Sequence, residues 1–153
     1  MDEEAGIHAR ESEYLGRYVQ VGHAAAKVLR VSFPTEPDGD AGPDYPLLDR
    51  IEAYLEGERD EFADVEVALT MSTDQRAVLE SVRDVGYGTE VSVESLVRMT
   101  PGLDAEEDDD QLLVREALQA NPAPLLIPDH RVRDGPSAAP PVVEQKLRSL
   151  EGL

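Results

Sequence analysis

The sequence predicts an α+β protein of two small domains, with strands and one helix in residues 1–70 and a helical domain in residues 71–153. Runs rich in valine and aromatic residues occur before residue 34, which is typical of strands. After residue 70, apolar residues recur at helical spacing behind capping residues, which is typical of helices. A chain of 153 residues with 41% hydrophobic residues has enough apolar side chains for one or two modest cores.

In the N-terminal part, the first dozen residues are polar, and we expect them to be frayed. Residues 18–22 and 26–33 are predicted strands, joined by a short turn near His23. Residues 34–46 are rich in proline, glycine and aspartate, which predicts a loop. The next residues predict a helix that ends at Gly57.

In the C-terminal part, the sequence predicts four helices, and a capping residue stands at the start of the first three. Ser72, Ser92 and Asp108 open helices that we expect to reach residues 85, 99 and 120. Residues 132–141 predict a loop with an abbreviated hairpin, and residues 142–151 predict the last helix. Three helices followed by a hairpin are typical of a winged helix-turn-helix domain.

The chain is strongly acidic, with a net charge of −19 from 33 acidic and 14 basic residues. Such a charge fits either a protein that avoids or mimics polyanions, or a surface adapted to high salt. The acidic residues are spread over both halves, and lysine is scarce, which favours the salt-adapted surface and indicates a haloarchaeal source. At about 1 M salt the Debye length is only about 3 Å, so this charge would oppose DNA binding little.

The sequence shows no targeting or ligand-binding segment. No run of 18 apolar residues occurs, and the chain starts with acidic residues, so we expect no membrane span, no secretory signal and a cytoplasmic protein. The absence of cysteine excludes a disulfide framework. With three histidines and no clustered ligand spacing, we expect no metal ion and no cofactor.

Three segments of the C-terminal half carry a specific resemblance. Residues 73–79 read T-D-Q-R-A-V-L, residues 86–92 read G-Y-G-T-E-V-S, and residues 121–132 read N-P-A-P-L-L-I-P-D-H-R-V. Together they resemble the methylated-DNA–protein-cysteine S-methyltransferases, which remove alkyl groups from O6-alkylguanine in DNA. That family carries P-C-H-R with the cysteine as alkyl acceptor, and Asp129 stands at the cysteine position.

The resemblance implies roles for individual residues. In the family a Cys–His–Glu network ionises the thiol, so the implied catalytic positions are Asp129, His130, Glu151 and Asn121. A recognition helix in the minor groove flips out the damaged base. The implied DNA-binding positions are Arg131, Arg115, Leu112, Val93 and Pro122.

Several functional positions depart from the family pattern. Val93 replaces the tyrosine that rotates the phosphate, Leu112 replaces the arginine that fills the gap, and Arg115 replaces a glycine. Residues 136–141 replace the glycine-rich loop that lines the guanine pocket. The side chains that the family uses for alkyl transfer and base flipping are replaced, while the residues that define the fold are kept. This pattern indicates a pseudoenzyme.

The leading interpretation is a non-catalytic, alkyltransferase-like protein linked to DNA repair, which binds double-stranded or alkylated DNA as a monomer. A repair protein is a further expected partner, and a membrane is not. An alternative is a protein-interaction or structural module that has kept the fold and lost DNA binding. A third is residual methyl transfer to Asp129, which would give an ester that water could cleave.

Two local questions stay open from the sequence. His130 is interpreted as a buried imidazole bonded to Glu151 or to the backbone, but Glu151 fits a solvated position at the end of the last helix equally well. Residues 104–110 contain six acidic residues, and a solvated loop is favoured over a metal site or a barrier to phosphate.

Overall fold

A three-stranded antiparallel sheet and five helices make up the fold of the described residues. The structure is a computed structural model and describes residues 5–153. The sheet has the order β1-β2-β3, with β1 (Gly6–Ser12), β2 (Arg17–Ala24) and β3 (Lys27–Ser32). The helices are α1 (Pro46–Leu55), α2 (Thr73–Val82), α3 (Val93–Met99), α4 (Asp108–Gln119) and α5 (Pro141–Glu151). Within the described residues, none of them combines the length and apolar character needed to cross a bilayer.

The first strand corrects the expectation of a frayed start. β1 pairs with β2 along its whole length, from Gly6 opposite His23 to Ser12 opposite Arg17. Only Ala9 of β1 is buried, so apolar alternation does not reveal the strand, and backbone pairing with β2 supplies its order instead. Residues 1–4, which belong to the same expectation, lie outside the described residues.

The turn between β2 and β3 lies beyond the expected position near His23. Ala24 pairs with Lys27, so the hairpin has two central residues, Ala25 and Ala26. Their φ angles are 51° and 67°, the left-handed conformation that a two-residue type I′ turn requires. Alanine carries none of the usual sequence signals of this turn, which explains the displaced prediction.

The predicted starts of the first three C-terminal helices are confirmed. Ser72 Oγ accepts the backbone N–H of Gln75 at 3.3 Å, and Ser92 Oγ accepts that of Ser95 at 3.0 Å. Each bond satisfies one of the free N–H groups at a helix start. The third helix begins at Asp108, but the expected cap by that residue is wrong, because Glu107 is the N-cap and makes no side-chain cap bond.

Residues 132–141 form no hairpin in the part of the chain that the structure describes, which corrects the expected wing. Val132 instead makes an isolated bridge to Val91. A Cβ on Gly135 would lie 2.8 Å from Leu118 Cδ1, so this loop passes directly against α4. The loop of residues 132–141 therefore packs against α4 in place of the expected hairpin.

The apolar core consists of two clusters that meet at residues 121–132. One cluster joins the sheet and α1 to α5, and it includes Leu126 and Leu147. The other lies among α2, α3 and α4, and it includes Leu96, Val114 and Ile127. Consecutive residues of one segment thus enter different clusters, which fixes that segment in place. The division into domains at residue 70 stays a prediction.

Candidate functional site

Asn121 holds the segment that leads from α4 to the acceptor position. Its Nδ2 donates to the carbonyl of Ile127 at 2.9 Å, and its Oδ1 accepts the backbone N–H of Ala123 at 3.0 Å. Between Ala123 and Ile127, Leu125 has a φ of 82°, a conformation that a leucine adopts only where its surroundings enforce it. These contacts fix the turn that carries the chain into Asp129.

Asp129 begins a short 3₁₀ turn (Asp129–Arg131) and is fully buried, with 0% of its surface exposed. Its Oδ1 accepts the Ser137 hydroxyl at 2.6 Å. Its Oδ2 accepts the backbone N–H of Ala138 at 2.9 Å and Asn121 Nδ2 at 3.0 Å. Burial raises the pKa of Asp129 above its ordinary value, and the three hydrogen bonds only partly offset this effect. Donors of the protein therefore occupy both oxygens of this carboxyl group.

Glu151, the last residue of α5, collects a second set of donors. Its Oε2 accepts His130 Nε2 at 2.8 Å and the hydroxyl of Tyr54. Its Oε1 accepts Arg131 Nε at 2.8 Å and the backbone N–H of Gly88 at 3.0 Å. Burial alone would raise the pKa of Glu151, but the bonds from His130 and Arg131 outweigh it and hold the pKa well below its ordinary value. Of the two alternatives from the sequence, the structure thus shows the buried His130–Glu151 pair.

His130 does not connect the two carboxyl groups into one network. Its Nε2 bonds to Glu151, whereas its Nδ1 is buried and has no hydrogen-bond partner among the described residues. Asp129 therefore makes no bond to the imidazole of His130. The side chains of Asp129 and Glu151 are therefore not joined through His130 by direct hydrogen bonds.

Arg131 lies inside the protein, which corrects its assignment as a DNA contact. Its guanidinium bonds to both oxygens of Glu151 and donates from Nη1 to the carbonyl of Val85 at 2.7 Å. Burial would lower the pKa of Arg131, but its bonds to Glu151 outweigh this and raise it. Only 3% of the residue is exposed, so the guanidinium presents no group to a phosphate.

A known archaeal protein is similar to the chain over most of its length. The chain is 30% identical to the methylated-DNA–protein-cysteine methyltransferase of Archaeoglobus fulgidus over 115 residues, which are 75% of this chain and 72% of that protein. The chain belongs to this methyltransferase family. No protein-family profile matches it.

Solved structures of the methyltransferase family share the α+β fold. A variant of the Mycobacterium tuberculosis O6-methylguanine methyltransferase superposes with a TM-score of 0.75 at 20% identity, over 96% of this chain and 92% of that one. M. tuberculosis OGT in complex with DNA gives 0.73 at 20% identity, over 95% and 91%. The O6-methylguanine-DNA methyltransferase of Pyrococcus kodakaraensis gives 0.69 at 18% identity, over 97% and 100%.

Of the other residues expected to bind DNA in this member of the methyltransferase family, only two are exposed. Leu112 on α4 is 55% exposed, and Arg115 is exposed while its Nη1 donates to the carbonyl of Asp134 at 2.9 Å. Val93 is buried at the start of α3, so it is a core residue and not a surface contact. Pro122 is half-buried, and its carbonyl accepts an N–H of β3. The surface that the resemblance assigns to DNA is thus reduced to one face of α4.

That face of α4 is acidic. Its exposed residues are Asp108, Asp109, Leu112, Arg115, Glu116 and Gln119. Three carboxylates against one guanidinium give a surface that repels phosphate in dilute buffer. At high salt this repulsion is confined to contact distances.

Three residues of the site were not foreseen from the sequence. Tyr54 lies three positions after Ile51 on the buried face of α1. A buried tyrosine hydroxyl usually needs a hydrogen-bond partner, and this was the sequence signal that could have identified it. Ser137 was the one hydroxyl in the replaced loop, yet nothing in the sequence indicated its bond to Asp129. The backbone contact of Gly88 has no side-chain signal.

The groove beside the site does not reach Asp129. This groove of about 690 Å³ runs between β3 and the segment that follows α4, and its lining includes Asn121 and Ala138 but not Asp129. Among the described residues, no group of three His, Cys, Asp or Glu side chains is arranged to hold a metal ion. The acceptor position is therefore a closed part of the core.

Proposed function

We propose that the chain is a non-catalytic member of the methyltransferase family, linked to DNA repair through binding of DNA and not through acceptance of an alkyl group. The observation that carries this proposal is the buried carboxyl of Asp129, which takes three hydrogen bonds from the protein. Attack on a methyl group needs a nucleophile with a free lone pair aimed at the carbon. Both oxygens of Asp129 are instead directed at donors in the core.

The loop of Ser137 and Ala138 supports the same conclusion. By the resemblance, this loop replaces the one that lines the guanine pocket, and here it is bonded to the acceptor position itself. A base flipped out of the duplex would have to displace both residues before it reached Asp129. We therefore expect the protein to bind duplex DNA without drawing a base into the site, and to bind modified and plain duplex equally.

The similarity to M. tuberculosis OGT in complex with DNA supports the DNA-binding part of the proposal, because the two chains share a fold. On helix α4, Leu112 and Arg115 are the residues that would contact a groove of the duplex, and acidic residues of the same helix flank them. Such a surface gives weak binding with few phosphate contacts, so the affinity must be measured in concentrated salt and its salt dependence must be shallow.

The direct test is fluorescence anisotropy of labelled duplexes, with O6-methylguanine or guanine, in about 2 M KCl, where screening is strong. Leu112→Arg places a cation at the exposed centre of α4 and is expected to tighten binding. Val142→Arg is the matched control, because Val142 is equally exposed at 52% but lies on α5. Equal gains from both variants, or no binding by any of them, would count against α4 as the DNA surface.

Loss of alkyl transfer is tested separately by mass spectrometry. After incubation with duplex that contains O6-methylguanine, the peptide that carries Asp129 is expected to show no added methyl group. Because an ester would be lost to water, the free guanine formed in the duplex is measured as well. Repeated conversion of O6-methylguanine to guanine would overturn the non-catalytic assignment and favour residual transfer to Asp129.

The acidic face of α4 favours a second candidate function, a protein-interaction module without a DNA role. Asp108, Asp109 and Glu116 would then be contacts for a basic surface of another protein. One experiment distinguishes DNA binding from protein interaction. Absence of duplex binding at every salt concentration, together with a co-purified protein that Leu112→Arg releases and Val142→Arg retains, would identify the interaction module.

A further inference from the structure

The groove between β3 and the segment that follows α4 (the β3 groove) differs in charge from the rest of the protein. Its volume of about 690 Å³ lies in the range of about 300–1,000 Å³ that is usual for small-molecule sites. Although 33 of the 153 residues are acidic, none of the described residues that line this groove is acidic. Arg30 is the one charged residue of the lining, and it is exposed and makes no ion pair with another described residue. The groove therefore carries a positive charge on a strongly acidic protein.

The walls of the β3 groove are apolar and stiff. They contain four prolines, which are Pro34, Pro122, Pro124 and Pro140. Because proline has a fixed φ and no N–H group, these walls offer apolar rings and few hydrogen-bond donors. Leu29 adds an apolar side chain that is 46% exposed, so a ligand in the groove would cover apolar surface that now faces water.

Hydrogen bonds within the protein join the walls of the β3 groove. The Val31 N–H donates to the carbonyl of Pro122 at 2.9 Å, which links β3 to the opposite wall. Asn121 and Ala138 also line the groove, and both donate to Asp129, at 3.0 Å and 2.9 Å. A groove that is formed in advance loses little conformational freedom when a ligand binds.

We propose that the β3 groove is a binding site for an aromatic organic anion, whose ring packs on the prolines and whose acidic group bonds to Arg30. Proline rings pack well against flat aromatic rings, as they do where proline-rich segments bind to aromatic grooves. A guanidinium pairs with a carboxylate or a phosphate through two parallel N–H bonds, and a sulfonate offers similar oxygens. An aromatic cation of the same shape would meet the charge of Arg30 and is excluded.

A ligand in the β3 groove acts on the acceptor position without entering it. Neither Asp129 nor Ser137 lines the groove. Asn121 and Ala138 do line it, and they make two of the three hydrogen bonds that hold Asp129. The ligand thus binds the arrangement in which the loop is closed over Asp129. By mass action it stabilises that arrangement over any in which the loop has opened.

The test compares two dyes of similar shape, anilinonaphthalenesulfonate and phenylnaphthylamine, which lacks the sulfonate. Each dye is titrated into the full chain and followed by fluorescence in about 2 M KCl, where repulsion from distant carboxylates is screened. We expect the sulfonate to bind more tightly than the neutral dye. Arg30→Gln should weaken binding of the sulfonate by about tenfold, the loss expected for a hydrogen bond to a charged group, and leave the neutral dye unchanged.

Arg76→Gln is the matched control, because Arg76 is also an exposed arginine but lies on α2 and does not line the groove. It is expected to bind both dyes as the wild type does. Leu29→Ser should weaken both dyes, since it removes an apolar contact. Equal affinity of Arg30→Gln and the wild type for the sulfonate, or unchanged affinity of Leu29→Ser for both dyes, would overturn the proposal.

The effect on the acceptor position is measured by hydrogen exchange of the Ala138 amide. Saturation with anilinonaphthalenesulfonate is expected to slow this exchange in the wild type, and to slow it less in Arg30→Gln at the same dye concentration. Exchange that the bound dye leaves unchanged would overturn the link between the groove and Asp129. Because Leu29 and Arg30 lie on β3, none of these results bears on DNA binding through α4.

Discussion

Replacement of Asp129 by alanine should destabilise the protein strongly, because it removes the acceptor of one buried and two half-buried donors. These are the Ser137 hydroxyl at 2.6 Å, the Ala138 N–H at 2.9 Å and Asn121 Nδ2 at 3.0 Å. Hydrogen bonds to a charged group contribute about 1.5–3 kcal/mol each, and burial of the carboxyl offsets several kcal/mol of the sum. We therefore expect Asp129→Ala to lower the free energy of unfolding by about 3–5 kcal/mol.

Asp129→Asn is the matched control for this prediction. The amide oxygen can accept from Ala138 and Asn121, while the amide NH₂ donates to Ser137 Oγ, whose hydroxyl can rotate to accept. This variant keeps all three bonds and removes a carboxyl group whose burial raises its pKa. Its free energy of unfolding should stay within about 1 kcal/mol of the wild type.

The assay is urea unfolding in concentrated KCl, together with hydrogen exchange of the Ala138 amide. Asp129→Ala should lower the midpoint and expose this amide, whereas Asp129→Asn should keep it protected. The reasoning would be refuted if Asp129→Ala were as stable as Asp129→Asn and still protected the Ala138 amide. The loop would then be held by packing alone, and the carboxyl would not be what closes the site.

Three further changes test other parts of the structure. Glu151→Gln should cost about 3–5 kcal/mol at pH 7, because Arg131 would keep a buried charge without its carboxylate. Since the pKa of Glu151 is depressed in the fold, its contribution is present above the unfolded pKa and lost as pH falls, so urea unfolding should show a smaller deficit of this variant in acid. The double change Ala25→Asn with Ala26→Gly should raise stability by about 1 kcal/mol, since both φ angles are positive, and an unchanged melting temperature would count against a strained turn. Gly135→Ala should lower stability by about 1–3 kcal/mol in thermal unfolding, because its Cβ would overlap a leucine methyl, and a neutral effect would mean that the loop can shift.

The pH dependence of stability should carry two opposing contributions. The pKa of Asp129 is raised by burial, and that of Glu144 is raised by burial and by the nearby Asp129. Their stabilisation is present below the unfolded pKa and is lost as pH rises through the folded pKa, the reverse of Glu151. In Asp129→Asn the first contribution disappears, so urea unfolding should show a smaller fall in stability as the pH rises above the unfolded carboxyl pKa, while the acid limb set by Glu151 stays in place.

The helices of the C-terminal half were predictable because their signals are local. Ser72 and Ser92 each bond to the N–H three residues on, and such a cap can be recognised from a few neighbouring residues. β1 was missed for the opposite reason. Its order comes from pairing with β2, and a strand with one buried side chain, Ala9, has no pattern of its own.

The sequence predicted several of the residues that form the candidate site but not the directions of their side chains. The resemblance brought together Asn121 with Asp129 and His130 with Glu151, and the two residues of each pair are hydrogen-bonded in the structure. It did not indicate that Arg131 points inward, because the motif fixes the order of residues along the chain and not the direction of a side chain. The partner that decides this direction, Glu151, is twenty residues further along.

The carboxyl group of Asp129 accounts for two features of this site, the missing thiol and the closed position at residue 129. A cysteine thiol is a weak hydrogen-bond acceptor, and it could not take the three donors that Asp129 takes. The replacement therefore removes the thiol and, in the same step, bonds Ser137 and Ala138 to residue 129. A cysteine restored at residue 129 would supply a thiol and leave those donors without an acceptor. By the resemblance, it would still lack the tyrosine and the arginine of the family pattern, because Val93 and Leu112 stand in their places. On the proposed function, the missing thiol and the closed position at residue 129 thus follow from one replacement, whereas Val93 and Leu112 are separate departures from the family pattern.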